Sequence, residues 1–416
     1  MTAAPQAARI AAGTLLLVFL PLAGGYFLSY LYRSLNAIIA PDLISELGLS
    51  AGHLGFLTAA YFLSFALFQI PLGLMLDRYG PRRVQAGLML VAATGAAMFG
   101  LSQGIVGLTV GRALIGVGVS GGLMASFKAI TLWLPSPRWP LAQGLFLTAG
   151  GLGALSATRP AQALLEYTDW RGLFLGLAAL TCCVSAAMFT LIPERAGTGD
   201  RSSFRDAARV LGSIYREPLF WRIAPAAVLT FGFGLAFQGL WAGPWLKDVV
   251  GLPREGVANA LLVMTATLTI GFALTGVAAD WAVRRGITLE RFAAVGMLLY
   301  FITQAPLALG WSGGVWLVMV GAGLLSNVAA VLYPVLAQRF PVALAGRCST
   351  ALNLVAFGGT FLTQYLIGAV IDLFPPLASG GYSPLSYQVA FAGCLALGVV
   401  SLLWFLPTTY SSARGA

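Results

Sequence analysis

Apolar runs long enough to cross a membrane recur along this chain with only short polar breaks. They fall at about 13–40, 54–75, 84–102, 107–133, 141–165, 171–192, 223–247, 256–283, 290–311, 314–338, 348–372 and 386–407. A helix needs ~20 apolar residues to span a bilayer, so the pattern predicts twelve transmembrane helices in an all-α polytopic membrane protein. One long polar segment, 193–222, divides the chain into six spans in 1–192 and six in 223–416. This predicts two pseudosymmetric six-helix bundles joined by a cytoplasmic loop.

The halves echo each other. Gly73-Leu-Met-Leu-Asp77 precedes Arg82-Arg83, and Gly276-Val-Ala-Ala-Asp280 precedes Arg284-Arg285. Leu134-Pro135 has a counterpart in Phe340-Pro341. Repeats of this kind place a binding site between the halves, near the middle of the membrane.

Composition agrees with the pattern. Hydrophobic residues make up 58% and charged residues 9%, against about 25% charged in soluble domains. The net charge of +10 does not mark a nucleic-acid binder, because the basic residues flank apolar runs instead of forming one patch. With twelve spans, 17 of the 24 basic residues fall on the side of the two termini. That bias makes both termini cytoplasmic in a bacterial-type inner (plasma) membrane. The first apolar run is too long for a cleavable signal and no small-residue cleavage site follows it. Cys182, Cys183, Cys348 and Cys394 lack metal-ligand spacing, and His53 is the only histidine. No metal, cofactor or catalytic triad is expected, and no enzyme.

One charge stands out. Arg33 lies inside the first run, eight residues before Pro41, roughly 12 Å from the exit end at 1.5 Å per residue. A charge at the helix centre costs at least ~2.5–3.5 kcal/mol, so an intramembrane Arg points to function. Tyr26, Tyr30 and Arg33 share one helix face at i, i+4 and i+7. Hydroxyls beside a guanidinium suit a carboxylate or phosphate, which Arg can hold in bidentate fashion. The alternative is an Arg held by backbone carbonyls at a helix break. All 14 acids fall in loops or near span ends, including Asp42, Glu46, Asp248 and Asp372. No embedded carboxylate offers a proton relay; anion exchange or facilitated diffusion needs none.

Gly73-Leu-Met-Leu-Asp77-Arg78-Tyr-Gly80-Pro-Arg82-Arg83 resembles the loop 2–3 signature of the major facilitator superfamily, G-x-x-x-D-R/K-x-G-R-R/K. Arg112-x-x-x-Gly116-x-Gly118 is similar to that family's fourth-helix motif. The resemblance implies two bundles rocking about a central site. It implies gating, not substrate contact, for Gly73, Asp77, Arg78, Gly80, Arg82, Arg83, Arg112 and Asp280. Within the family, Tyr30-Leu-Tyr-Arg33 followed by Pro41 resembles the first helix of the organophosphate–phosphate antiporters and of the anion–cation symporters. There the Arg holds the substrate anion, and Lys128 falls where a second cation is common. Two features depart from those branches: Gln238 stands where the antiporters carry an Arg, and span 4 lacks the symporters' acid.

Arg112 and Lys128 are about 160° apart around one helix, so they cannot share a cavity. Lys128 either faces the site or reaches back to the interface, and the same choice applies to Arg159. Span 7 aligns Gln238, Trp241 and Trp245, and span 11 stacks Asn353, Phe357, Thr360 and Gln364. Asn327 and Tyr333 add polar groups in span 10. Substrate binding and interhelical hydrogen bonding both account for these. The candidate substrate contacts are therefore Arg33, Tyr26, Tyr30, Lys128, Gln238, Trp241, Asn327 and Asn353. The reading is a monomeric secondary transporter of a small organic anion, a carboxylate first. Efflux of drug-like compounds, transport of a metal chelate or siderophore, and a non-transporting membrane sensor are the alternatives.

Overall fold

The computed structural model describes residues 12–134, 139–194, 204–341, 344–377 and 381–411. Arg9, Arg138, Arg195, Arg201 and Arg414 lie outside them. Among the described residues, ten helices are long and apolar enough to cross a membrane. One of these, Ala51–Leu101, makes two crossings because it doubles back at Gly80. Gly80 has φ 76° and ψ 166°, and Pro81 follows it. The reversal is visible in the packing of span 4: Gly116 meets Tyr61 and Gly118 meets Ala92, while Gly121 lies against both Leu72 and Gln85. Only glycine holds that backbone region without strain of about 1–3 kcal/mol. Gly80→Ala is therefore expected to lower the unfolding midpoint in detergent, and an unchanged midpoint would remove this account of the turn.

The helix Trp139–Ser156, continued by Arg159–Leu164, supplies the remaining crossing and brings the total to twelve. Span 1 is Ala12–Ser34 followed by Asn36–Leu47, with its break one residue from Arg33's helix end at Ser34. Span 4 is likewise in two pieces, Ile105–Val119 and Gly122–Trp133. Trp170–Leu191 is span 6. Span 7, Pro218–Asp248, contains two π-helical turns, Val228–Gly232 and Phe237–Trp241. Spans 8 to 12 are Arg254–Arg284, Leu289–Leu309, Ser312–Ala337, Ala345–Ile371 and Pro384–Ser411. The polar middle segment is not all loop, since Phe204–Tyr215 is a helix. Polarity argues against a membrane span there, but not against a helix.

Small residues let the backbones approach. A Cβ at Gly95 would come within 2.7 Å of the Gly111 carbonyl, which joins spans 3 and 4. His53 is absorbed by a capping box at the start of span 2: its N–H donates to Ser50 Oγ at 3.2 Å, and Ser50 N–H donates to His53 Nδ1 at 3.5 Å. Glu46 accepts from Trp170 Nε1 and Arg171 Nη2, each at 2.6 Å.

Between the halves, three helix pairs meet: spans 1 and 7, 2 and 11, and 5 and 8. Gly243 packs on the Ala37 carbonyl, Gly55 on the Gln364 carbonyl and Gly151 on Thr269. Polar links reinforce this contact at the face opposite the termini. Asp372 accepts from Ser50 Oγ (2.7 Å), Ala51 N (2.9 Å) and Gly52 N (2.8 Å), capping span 2 from the other half. Arg254 grips Asp42 at 2.7 and 3.1 Å and donates to Gln162 at 2.9 Å. Arg159 pairs with Glu255 at 2.6 Å and donates to Asn259 at 2.9 Å. At the face carrying the termini, the ion pairs between described residues each stay within one half. Among the described residues, the polar links between the halves lie at the face opposite the termini.

Candidate functional site

A cavity of 360 Å³ lies between the halves, running from Arg33 toward the face of the termini. Span 1 contributes Tyr26, Ser29, Tyr30 and Arg33; span 4 contributes Met124 and Phe127; spans 10 and 11 contribute Asn327, Tyr333, Ser349 and Asn353. A small extension past Tyr30, Arg33 and Asn327 reaches Gln238 and Ser326.

Arg33 is 7% exposed. No carboxylate pairs with it among the described residues. Its Nε is buried without a hydrogen-bond partner. Aromatic rings surround the guanidinium instead: Tyr30 at 4.5 Å, and Phe65 and Phe357 each at 5.7 Å. Ring quadrupoles favour a cation there but cannot satisfy its N–H donors. Tyr26 and Tyr30 pack edge-on, with ring centroids 5.1 Å apart and hydroxyls 3.4 Å apart. The face expected from i, i+4, i+7 spacing is thus present in the cavity wall.

Other candidates divide. Gln238 lies in the second π turn, and its Nε2 is buried without a partner beside Arg33 in the cavity extension. Asn327 lines both parts. Asn353 lines the cavity and accepts from the Tyr333 hydroxyl. Trp241 is fully buried; its Nε1 donates to the Gln364 carbonyl of its own half at 3.2 Å and its ring packs on Gly55 of the other half, so it fills the seam and not the cavity wall. Lys128 donates to Asp77 Oδ1 at 2.8 Å and does not line the cavity. Its side chain is turned toward Asp77. Arg159 is engaged with the opposite half, as described above.

Among the residues expected to gate, Asp77 is tied to span 4 through Lys128, and Arg83 and Arg82 reach Glu194 at the end of span 6. Arg78 stacks on Tyr79 at 5.2 Å. A Cβ at Gly73 would meet nothing within 4 Å. Among the described residues, Asp280 pairs within its own helix, with Arg284 at 2.9 Å. The echo between the halves is therefore chemically unequal. Arg112 is fully buried within the first half. It donates to the Tyr32 carbonyl at 3.0 Å and faces the Tyr61 and Phe99 rings. A second buried arginine thus braces the backbone next to Arg33.

Phe65, Gln69 and Ser120 line the cavity without having stood out in the sequence. Gln69 donates to the Ser120 carbonyl at 3.2 Å. A Phe beside a guanidinium leaves no signature in a chain with 25 phenylalanines.

Comparison with known proteins agrees with this architecture. Residues 22–364 match the Major Facilitator Superfamily. The chain is 23% identical to the probable sulfoacetate transporter SauU of Cupriavidus necator, over 82% of this chain and 85% of that one. It is 23% identical to the hexuronate transporter of Bacillus subtilis, over 86% and 87%. Among solved structures, it resembles a bacterial homolog of the human lysosomal transporter Spinster, with TM-score 0.72, 19% identity and coverage of 95% and 96%. The nucleoside transporter NupG gives the same TM-score at 13% identity, covering 94% of this chain and 99% of that one. The chain belongs to the Major Facilitator Superfamily and is a multi-pass membrane transporter, not an enzyme.

Proposed function

We propose that this transporter moves a small organic anion, a carboxylate first, across a bacterial-type inner membrane by alternating access. The observation that carries this reading is Arg33: a buried cation in a cavity between the halves, with no carboxylate paired to it among the described residues. Leaving a buried charge unpaired is costly, so a ligand that supplies the opposite charge gains from it. Tyr26, Tyr30, Gln238, Asn327 and Asn353 offer hydrogen bonds to the rest of such a molecule. Relatives named for sulfoacetate, hexuronate, L-galactonate and tartrate support an anionic substrate class. In this reading residues 1–192 and 223–416 are the two rocking bundles, joined by 193–222, and both termini are cytoplasmic. Asp77 and the arginines near it act in the cycle, and the protein works as a monomer.

The test is a thermal-shift screen of organic acids on purified protein, followed by counterflow of the hits in proteoliposomes. A ligand of the folded state raises its unfolding temperature. At least one carboxylate or sulfonate is expected to stabilise the protein and to exchange. A screen in which no organic acid stabilises the protein or exchanges, while neutral or cationic compounds tested beside them do, would defeat the proposal.

A further inference from the structure

A second cavity, of 290 Å³, lies at the face opposite the termini, and it shares no wall residue with the Arg33 cavity. Span 1 supplies one wall through Ala37, Ile38 and Pro41. Leu252, Pro253 and Val257 of the second half supply the other. Arg33 precedes Ala37 by one helical turn, about 6 Å along the axis. The packing of Gly243 on the Ala37 carbonyl separates the two spaces.

Two cations reach this cavity, and among the described residues only Arg254 is in an ion pair, while Lys247 has Asp248 as its nearest charged neighbour in sequence. Arg254 spends its guanidinium on Asp42 and Gln162. Lys247 lines the same space and is exposed. Apart from Gln162, which Arg254 engages, the remaining wall is apolar. An apolar pocket with one unpaired ammonium at its edge matches an aliphatic chain that ends in an anion.

We propose that this cavity is a regulatory site for an amphiphilic monoanion, with its headgroup on Lys247 and its chain between Ile38, Pro41 and Val257. The walls come from both halves and meet only while this face is closed. An occupant therefore binds one conformation and not the other, and it holds the transporter closed at this face by population shift. Its effect on transport is inhibition that added substrate does not relieve.

Hexane-1-sulfonate tests this without knowledge of the transported substrate. It is expected to raise the unfolding temperature of the parent protein and of Arg33→Ala alike. The shift should disappear in Lys247→Gln, a change to an exposed side chain, and in Val257→Phe, which fills the cavity. A shift lost in Arg33→Ala but kept in Lys247→Gln would place the compound in the central cavity and overturn the proposal. Absence of any shift in the parent would overturn it too. Neither result defeats the assignment of Arg33 to a transported anion, which the counterflow experiment decides.

Discussion

Arg33→Gln is expected to abolish exchange of the anion while leaving the fold intact or more stable. Hydrogen bonds to a charged group contribute about 1.5–3 kcal/mol each. Losing one such interaction weakens binding by roughly 10- to 150-fold, and losing a bidentate grip weakens it further. The stability prediction runs the other way. In the empty protein this guanidinium has no carboxylate, and its Nε has no partner. Removing it relieves a desolvation cost. Stabilisation by the anion should vanish as the baseline unfolding temperature holds or rises. Arg33→Lys keeps the charge but not the planar fork, so it should recover binding only in part. A structural arginine would behave oppositely: Arg33→Gln would unfold more easily and still bind.

The second large effect is expected at Asp372, which accepts three hydrogen bonds from the start of span 2. A carboxylate at a helix N-terminus is favoured by the helix dipole and by the free N–H groups there. Asp372 is exposed and Ser50 and Gly52 are half-buried, so screening reduces the gain to about 2 kcal/mol in all. This energy exists only while the halves touch at that face. Asp372→Ala should therefore shift the balance roughly 30-fold toward the state open there. Spin labels at Tyr167 and Trp311, both exposed and on different halves, would report a longer distance. Gly52→Ala should act similarly without removing the carboxylate, because its Cβ would come to 2.6 Å of Asp372 Oδ2. Unchanged label distances in both variants would show that the latch does not set the equilibrium.

Most of the fold was legible because membrane spans are written in composition: a run of apolar residues is nearly sufficient. The Tyr26, Tyr30 and Arg33 face was legible because helical periodicity brings such residues together without help from other elements. What stayed hidden depends on contacts distant in sequence. Lys128 could not be placed until Asp77, 51 residues away, was seen to hold it. Trp241 shares a predicted face with Gln238, but the π turn Phe237–Trp241 breaks the regular 100° spacing that the prediction assumed. Phe65 and Phe357 became part of the site only when spans 2 and 11 met around Arg33.

Pro41 has one more consequence. Proline carries no N–H, so the Ala37 carbonyl four residues earlier has no helical donor. That carbonyl faces Gly243 across the seam between the halves. When the seam parts, no helical hydrogen bond at this point has to break, and water can take the carbonyl at once. A carbonyl without its helical donor gains a water partner when the seam parts, so at this point opening is favoured and not penalised.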